Sequence, residues 1–405
     1  MERVQHKRIL FLSNGHGEDA IAAVLLEELL SLQSQICALP LVGLGEAYRK
    51  QGIEVIGPRA EMPSGGFTRL GLKQFWKDVK AGLVGLTVAQ ISALRKAREF
   101  IDFVVCVGDI YPVLLGGWFL QRPMIFVATA KTEFISGHYE LEYKLMRRYC
   151  QRVYARDQYT ADAMVRHGVE ADFAGNLMMD MLMQDGSVYP QTPTTPLICL
   201  LPGSRGDAYL NLGDLLACVD AIAQRDTQYE FAVPLASSLS FEQITSLISL
   251  EGYDNGRWYY KETGFDEQSA GMVGKIILGD QSEVIFLKGC FGGLLRACDL
   301  VIGLAGTANE QAAGLGKPVI TFPGKGVQFT RKFALAQKKL LGDAVSLVDP
   351  SPISVAKQVE AILDDPDTYR RMATCGKKRM GSPGGAQRIG QYIREVSSNY
   401  NTISP

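Results

Sequence analysis

The sequence predicts an α/β fold built from two sheets of mainly parallel strands, one in each of two domains. Short apolar runs alternate with longer stretches of helical periodicity, which is the pattern of consecutive βαβ units. That rhythm stops once, in a polar segment at residues 186–196 that carries three prolines, and then restarts. A chain of 405 residues, 47% of them hydrophobic, is long enough for two separate cores.

In the first predicted domain, residues 1–185, a buried strand at 8–12 leads into a polar turn that contains two glycines. The helix that follows carries apolar residues at core spacing, namely Ile21, Val24, Leu25 and Leu29. Two more apolar runs, at residues 103–107 and 124–128, are typical of strands buried on both faces. The domain is therefore predicted to begin with βαβ units.

The second predicted domain, residues 197–383, opens with a strand at 197–201. Further strands, separated by helical stretches, are predicted at residues 229–234, 275–278, 284–287, 299–304 and 318–322. Two such halves joined by one linker predict a cleft, with ligands bound outside the carboxyl ends of the strands.

The overall composition excludes several classes of protein. The 42 basic and 43 acidic side chains argue against a globally basic protein, so nucleic acid is not expected as a partner. The eight cysteines are scattered without a CxxC pair, which favours a reducing compartment over disulfides or a zinc site. The longest apolar tract, residues 103–130, is interrupted by Asp109 and Pro112, and no signal peptide is visible. We therefore expect a cytoplasmic protein without a membrane-spanning helix.

A strand, a small-residue turn and a helix at residues 299–315 predict a phosphate site. Gly306 allows a ligand to approach the backbone, and the N–H groups at the helix start near Thr307 attract phosphate. Glu310, three residues later, offers two acceptor oxygens to the vicinal hydroxyls of a ribose. The alternative is that Thr307 and Glu310 form only a capping box.

A second turn, at the end of the strand 197–201, carries Gly203, Ser204 and Arg205. The arginine fork suits a diphosphate, and the serine offers a hydroxyl. A solvated arginine in a turn is the alternative. Gln328, after another glycine-bearing turn, is a candidate for contacts with sugar hydroxyls. The absence of a GxxxxGK[ST] motif disfavours P-loop phosphoryl transfer.

In the first domain, His16 lies in a turn between Gly15 and Gly17 and is followed by Glu18 and Asp19. A neutral imidazole there can deprotonate a hydroxyl, with Glu18 or Asp19 orienting it. The alternative is a turn histidine next to acids that suit a helix start.

Asp109 follows the strand at 103–107 and is the second candidate base, or the partner of His16. Its alternative role is to cap a loop.

Residues 67–91 form an amphipathic pattern. Trp76 and Leu83 belong to its apolar face, Phe75 lies beside them, and lysines border the stripe. Such a face suits the surface of an anionic bilayer. The alternative is a helix packed on its own domain.

Several of these segments resemble the GT-B glycosyltransferases. The chain is similar to the lipid A disaccharide synthase-related group of cyanobacterial type and, more distantly, to MurG. The stretch LPGSR at 201–205 matches the synthases, AGTANE at 305–310 resembles their SGTATLE, FAGNLMMD at 173–180 resembles their VGHPLxD, and GLGEAYRKQG at 43–52 resembles their GVGGPxMxxxG.

This resemblance implies two Rossmann-like domains, with the last helix, at residues 384–400, crossing back onto the first domain. It implies metal-independent, inverting transfer from a UDP-sugar to a lipid-linked acceptor by an enzyme that needs no cofactor and associates peripherally with the inner face of a membrane. It places Ser204 and Arg205 near the diphosphate and Glu310 at the ribose.

The acceptor end departs from the family pattern. Where the synthases carry AGExSGD, this chain reads SNGHGED, nearer to the GGTGGH turn of MurG, and their GIDAPDF becomes GDIYPV with one acid instead of two. The acceptor is therefore left open. A UDP-N-acetylglucosamine 2-epimerase-like enzyme and a non-catalytic nucleotide-sugar-binding protein remain as alternatives.

Overall fold

A computed structural model describes residues 7–60, 83–225, 228–250, 258–260, 271–278 and 282–399. The chain divides into two units, Met1–Met181 with Pro383–Pro405, and Leu182–Ser382. Among the described residues, no helix is both long and apolar enough to cross a membrane.

The first unit contains a parallel sheet of seven strands in the order β3-β2-β1-β4-β5-β6-β7. The strands are β1 Ile9–Ser13, β2 Ile36–Pro40, β3 Glu54–Val55, β4 Phe103–Gly108, β5 Met124–Ala128, β6 Cys150–Ala155 and β7 Ala171–Asp172. Its helices are α1 His16–Glu27, α2 Glu46–Lys50, α3 Leu83–Ala97, α4 Ile110–Leu115, α5 Glu140–Tyr149, α6 Gln158–Arg166 and α7 Leu177–Gln184, which runs across the unit boundary. A 3₁₀ turn spans Leu30–Gln35, and a π-helical turn, Gly116–Leu120, follows α4.

The second unit contains an eight-stranded sheet in the order β10-β11-β12-β9-β8-β13-β14-β15. The strands are β8 Leu197–Leu201, β9 Glu230–Leu235, β10 Trp258–Tyr260, β11 Met272–Leu278, β12 Ser282–Lys288, β13 Leu300–Gly303, β14 Val319–Thr321 and β15 Val345–Leu347. The helices are α8 Asp207–Ala223, α9 Phe241–Leu250, α10 Phe291–Ala297, α11 Thr307–Leu315, α12 Arg331–Leu341, α13 Pro352–Leu363 and α14 Pro366–Met380, with a 3₁₀ turn at Gly342–Ala344.

The prediction of two α/β units with parallel-dominated sheets is confirmed. Every residue of β1, β4, β5 and β8 is buried. Parallel strands covered on both faces are continuously apolar, which is why these four could be recognised in the sequence.

One part of the second sheet contradicts the prediction. The strands predicted at 275–278 and 284–287 are not separated by a helical stretch, because β11 and β12 are antiparallel neighbours with only residues 279–281 between them. So short a connection cannot make the crossover that parallel neighbours need.

The proline-bearing segment predicted as a linker belongs to the second unit. The guanidinium of Arg296, at the end of α10, donates to the carbonyl oxygens of Leu182, Asp185 and Ser187. Tyr189 is buried. These contacts fix the start of the segment on the second unit.

The last helix, α15 Gly385–Asn399, belongs to the first unit. The Asp180 carboxylate accepts the backbone N–H groups of Gly384 and Ala386, which fixes the start of the helix. The guanidinium of Arg394 donates to the carbonyl oxygen of Glu28 at the end of α1. The first unit is thus completed by a segment about two hundred residues away in sequence.

Candidate functional site

The first candidate site lies where the first sheet reverses its strand order, between β1 and β4, which we call the first switch point. The chain moves from β1 outward to β2 and β3, and β4 then returns to the other side of β1. The loops that follow β1 and β4 therefore diverge and leave a crevice at the carboxyl edge, which is where ligands bind in such sheets. His16 follows β1 and Asp109 follows β4, so both predicted catalytic residues belong to this edge.

Three glycines make room for the polar side chains at this edge. A Cβ on Gly43 would lie 2.7 Å from Cε1 of His16, so the imidazole packs directly against that backbone. A Cβ on Gly15 would lie 2.3 Å from Oε2 of Glu18. Gly108 has a φ of 130°, and a Cβ there would lie 1.9 Å from Oδ1 of Asn14 and 3.1 Å from Cγ of Glu18. Any side chain larger than hydrogen at these three glycine positions would collide with His16, Glu18 or Asn14.

Asp109 caps the helix that follows it. Its carboxylate accepts the backbone N–H of Tyr111 at 2.8 Å, and its own N–H donates to Oδ1 of Asn14 at 3.4 Å. The capping role considered from the sequence is therefore present, and the contact with Asn14 links the β4 loop to the β1 loop.

Glu18 is an acid of this edge whose protonation is altered by its surroundings. Burial raises the pKa of the Glu18 carboxyl, and the Asp109 carboxylate adds to the rise. A hydrogen bond from the residue's own backbone N–H and the nearby His16 lower the pKa. A half-buried acid with a raised pKa next to a histidine and a second acid is a candidate for proton transfer. From the sequence alone Glu18 is only a helix-start acid or a partner of His16, because its folding back over Gly15 is not visible there.

Asp19 supports the turn from beneath. It is 2% exposed, and its carboxylate accepts the Ser13 hydroxyl at 2.5 Å. The Ser13 oxygen in turn accepts the hydroxyl of the fully buried Tyr48 at 2.6 Å. Burial raises the pKa of Asp19 to about 7, with Glu18 adding to the rise and the Ser13 hydrogen bond opposing it. His16 and Gly17, predicted in a turn, are instead the first two residues of α1, and both are exposed.

The second candidate site lies at the corresponding point of the second sheet, between β8 and β13, which we call the second switch point. The chain moves from β8 outward to β9, and β13 returns to the other side of β8. Gly203 has a φ of 108°, and a Cβ on it would lie 3.6 Å from the carbonyl oxygen of Leu304 in the β13 loop. The predicted phosphate turn and the predicted arginine turn are therefore neighbours.

Helix α11 begins at Thr307 with Gly306 as its N-cap residue. Thr307 is thus the first helical residue rather than the cap, so it does not form the capping box with Glu310 that the sequence allowed. The backbone N–H of Glu310 donates to the carbonyl oxygen of Gly306 at 3.3 Å. Ser204, Arg205 and Thr307 are exposed at this edge, and Glu310 is half-buried.

Two buried amides hold the turn before α11. The side-chain amide of Asn309 donates to the carbonyl oxygen of Gly303 at 3.0 Å and to Oε1 of Gln337 at 2.9 Å. The amide of Gln337 donates to the carbonyl oxygens of Ala305 and Gly306 at 3.1 and 3.0 Å. Sequence reasoning missed both residues, because the bond that joins them spans 28 positions. The available signal was an asparagine among the buried residues of α11, which also include Gln311, Ala312 and Ala313.

The remaining predicted residues are placed as follows. The Gln328 side chain is exposed, and its backbone N–H donates to Oδ2 of Asp207 at 2.9 Å. Phe75 and Trp76 lie outside the described residues, and Leu83 is described only as the first residue of α3. Farther along α3, Val84 and Val88 are 59% and 63% exposed.

No protein-family model and no curated protein matches the chain. Solved structures do match it over almost its whole length. CalG4, the calicheamicin glycosyltransferase, is 17% identical with a TM-score of 0.62, covering 99% of this chain and 100% of that chain. The UDP-GlcNAc 2-epimerase from Neisseria meningitidis bound to UDP-GlcNAc is 14% identical with a TM-score of 0.58, covering 96% and 100%. MurG of Acinetobacter baumannii is 14% identical with a TM-score of 0.57, covering 96% and 99%. The chain has the GT-B fold of these proteins.

Proposed function

We propose that this protein is a glycosyltransferase that moves a sugar from a UDP-sugar to a lipid-linked acceptor. The observation that carries the proposal is the second switch point, where the glycine turn before α11 adjoins the loop that carries Arg205. A helix start and a guanidinium at one sheet edge form a binding site for a diphosphate.

In this proposal the second unit binds the donor. Arg205, Ser204 and the first turn of α11 at Thr307 hold the diphosphate, while Glu310 accepts hydrogen bonds from the ribose hydroxyls. As the bond between the sugar and the diphosphate breaks, negative charge grows on the departing UDP. Donors that are already in place stabilise that charge, so no metal ion is assigned to this step.

The first unit supplies the acceptor site and the base. His16, Glu18 and Asp109 lie at one edge, and one of them accepts the proton of the acceptor hydroxyl as its oxygen attacks the anomeric carbon. Glu18 is favoured because its half-buried carboxyl has a raised pKa, which increases its strength as a base once it is ionised.

The lipid acceptor and a peripheral position at the cytoplasmic face of a membrane are supported by the resemblance to lipid A disaccharide synthase-related proteins. The exposed valines of α3, in a region with seven basic and three acidic residues between positions 61 and 100, agree with a membrane-facing segment. Flotation with anionic liposomes tests this part. Equal flotation of the native protein and a Val84→Asp, Val88→Asp double variant would contradict a role for α3.

A 2-epimerase is the second candidate, because the structural similarity to the Neisseria meningitidis epimerase covers 96% of this chain. Incubation with UDP-GlcNAc alone separates the two. A 2-epimerase inverts the configuration at C2 of the donor sugar and needs no acceptor. A transferase of this kind leaves the UDP-sugar unchanged apart from slow hydrolysis.

The central experiment measures UDP binding by calorimetry. Arg205→Ala is expected to weaken UDP binding by about 10- to 100-fold, the loss of a charge-assisted bidentate contact. Arg370→Ala is the matched control, since Arg370 is an exposed arginine of α14 that pairs with Asp367. Failure of the native protein to bind UDP, or equal binding by both variants, would rule out the assigned site.

A further inference from the structure

The loop at residues 323–329, which follows β14, is fastened to one face of α8. The backbone N–H of Gln328 donates to Oδ2 of Asp207 at 2.9 Å. The Lys325 ammonium lies 2.7 Å from Oδ1 of Asp214. Asp207 and Asp214 are seven residues apart, two turns along the same helix face.

Two glycines allow this close approach. A Cβ on Gly324 would lie 2.6 Å from Oδ1 of Asn211, and one on Gly326 would lie 2.3 Å from Cγ of Asp207. The loop is also closed on itself, because the N–H of Gly324 donates to the carbonyl oxygen of Phe329 at 2.9 Å. The 323–329 loop therefore has a defined path along α8.

That path passes the second switch point. In the sheet, β13 lies between β14, which precedes the loop, and β8, which precedes α8. A segment that starts at β14 and reaches the first residue of α8 must pass the carboxyl end of β13. Phe333, just after the loop, supports this position, because a Cβ on Gly306 would lie 3.4 Å from its ring.

The charge of Asp207 excludes a direct role in binding the diphosphate. A carboxylate at that edge repels a phosphate group, so Asp207 can assist ligand binding only through its contacts with other protein groups. Asp207 is engaged with the N–H of Gln328. The side chain of Gln328 is exposed, while its backbone is fixed.

We propose that Asp207 is a positioning residue that holds the 323–329 loop, with Gln328, against the sugar portion of the donor. This inference rests on the proposed function, because it assumes that the donor diphosphate lies at the second switch point. It predicts that Asp207 affects binding of the sugar and not of the UDP portion.

Two variants break the same contact from opposite sides. Asp207→Ala removes the acceptor, and Gly326→Ala places a methyl group against it. Gly213→Ala is the matched control, because Gly213 lies on α8 and a Cβ there meets nothing within 4 Å. Affinities for UDP, UDP-glucose and UDP-GlcNAc are measured by calorimetry, together with the hydrogen-exchange rate of the Gln328 amide.

Both variants are expected to weaken binding of the tighter-binding UDP-sugar about tenfold and binding of UDP less than twofold. They are also expected to speed hydrogen exchange at the backbone amide of Gln328. Because they disrupt one contact, the double variant should be no worse than the single variants. Equal losses for UDP and the UDP-sugar, no loss, or additive effects would overturn the proposal. If the native protein binds none of the three ligands, the proposed function fails. The loop contact is then judged by exchange alone, with unchanged exchange at Gln328 overturning it.

Discussion

The two switch points present different chemical groups, titratable side chains at the first and a backbone turn at the second. At the first, the side chains of His16 and Glu18 pack against glycine backbones, and Asp109 lies at the same edge. At the second, the backbone of the turn at Gly306 is held from within by buried amides. An acid with a raised pKa, such as Glu18, suits proton transfer, whereas a rigid turn at a helix start suits an anion. One fold used twice thus gives two chemically distinct edges.

The largest expected effect comes from damaging the amide-held turn. A Cβ on Gly303 would lie 1.9 Å from Oδ1 of the buried Asn309, so Gly303→Ala should lower the free energy of unfolding by about 2 kcal/mol and abolish UDP binding. Denaturant melts and calorimetry measure both quantities. Gly186→Ala, at an exposed glycine with nothing within 4 Å, is the control. A Gly303→Ala protein with native stability and native UDP affinity would show that the turn is not rigid.

The next effect tests the proton-carrying edge. Glu18→Gln should lower kcat by about 100-fold or more while leaving UDP binding unchanged, since it removes the proposed base and not a proposed donor contact. The raised pKa of Glu18 also predicts that activity in the native enzyme falls on acidification at a pH above the usual glutamate range, and that this limb disappears in the variant. Glu27→Gln, at the exposed end of α1, is the control. An unchanged pH profile in Glu18→Gln would assign the base to His16 or Asp109.

A smaller effect is expected from the buried acid beneath the same turn. Because the pKa of Asp19 is raised to about 7 in the folded protein, its contribution to stability is greatest at low pH and is lost as the pH rises from about 4 to 7. Asp19→Asn should therefore stabilise the protein at pH 8, by an amount on the order of 1 kcal/mol, and have less effect near pH 4. Thermal melts across this range measure it. A variant less stable than the native protein at pH 8 would mean that the charged carboxylate is needed.

The smallest expected effect is that of removing divalent cations. If Arg205 and the start of α11 stabilise the departing diphosphate, EDTA should change the rate of sugar transfer by less than about twofold. Loss of activity restored by Mg²⁺ would contradict this account of the donor edge.

The sequence was informative for strands that are continuous apolar runs buried on both faces. The continuous apolar runs at residues 124–128 and 197–201 predict strands with the observed ends. The neighbouring strands Ile36–Pro40 and Cys150–Ala155 are not predicted by such a run, since one ends in proline and the other begins with polar, partly exposed residues.

The candidate sites were predicted in their chain positions but not in their packing. Asn309 and Gln337 meet only in the folded chain, and nothing in either local segment indicates the other. The position of Glu18 depends likewise on Gly15 and Gly108, which come from different loops. Contacts of this kind are set by tertiary structure, which local periodicity does not encode.

The return of the last helix to the first unit has a consequence for how the protein is made. On the ribosome, residues 385–399 are synthesised after the entire second unit, so Asp180 and the end of α1 can contact them only once the second unit has been made. The second unit is continuous in sequence and has no such delay. The usual order of domain folding during translation, with the N-terminal domain first, is therefore expected to be reversed for the final step.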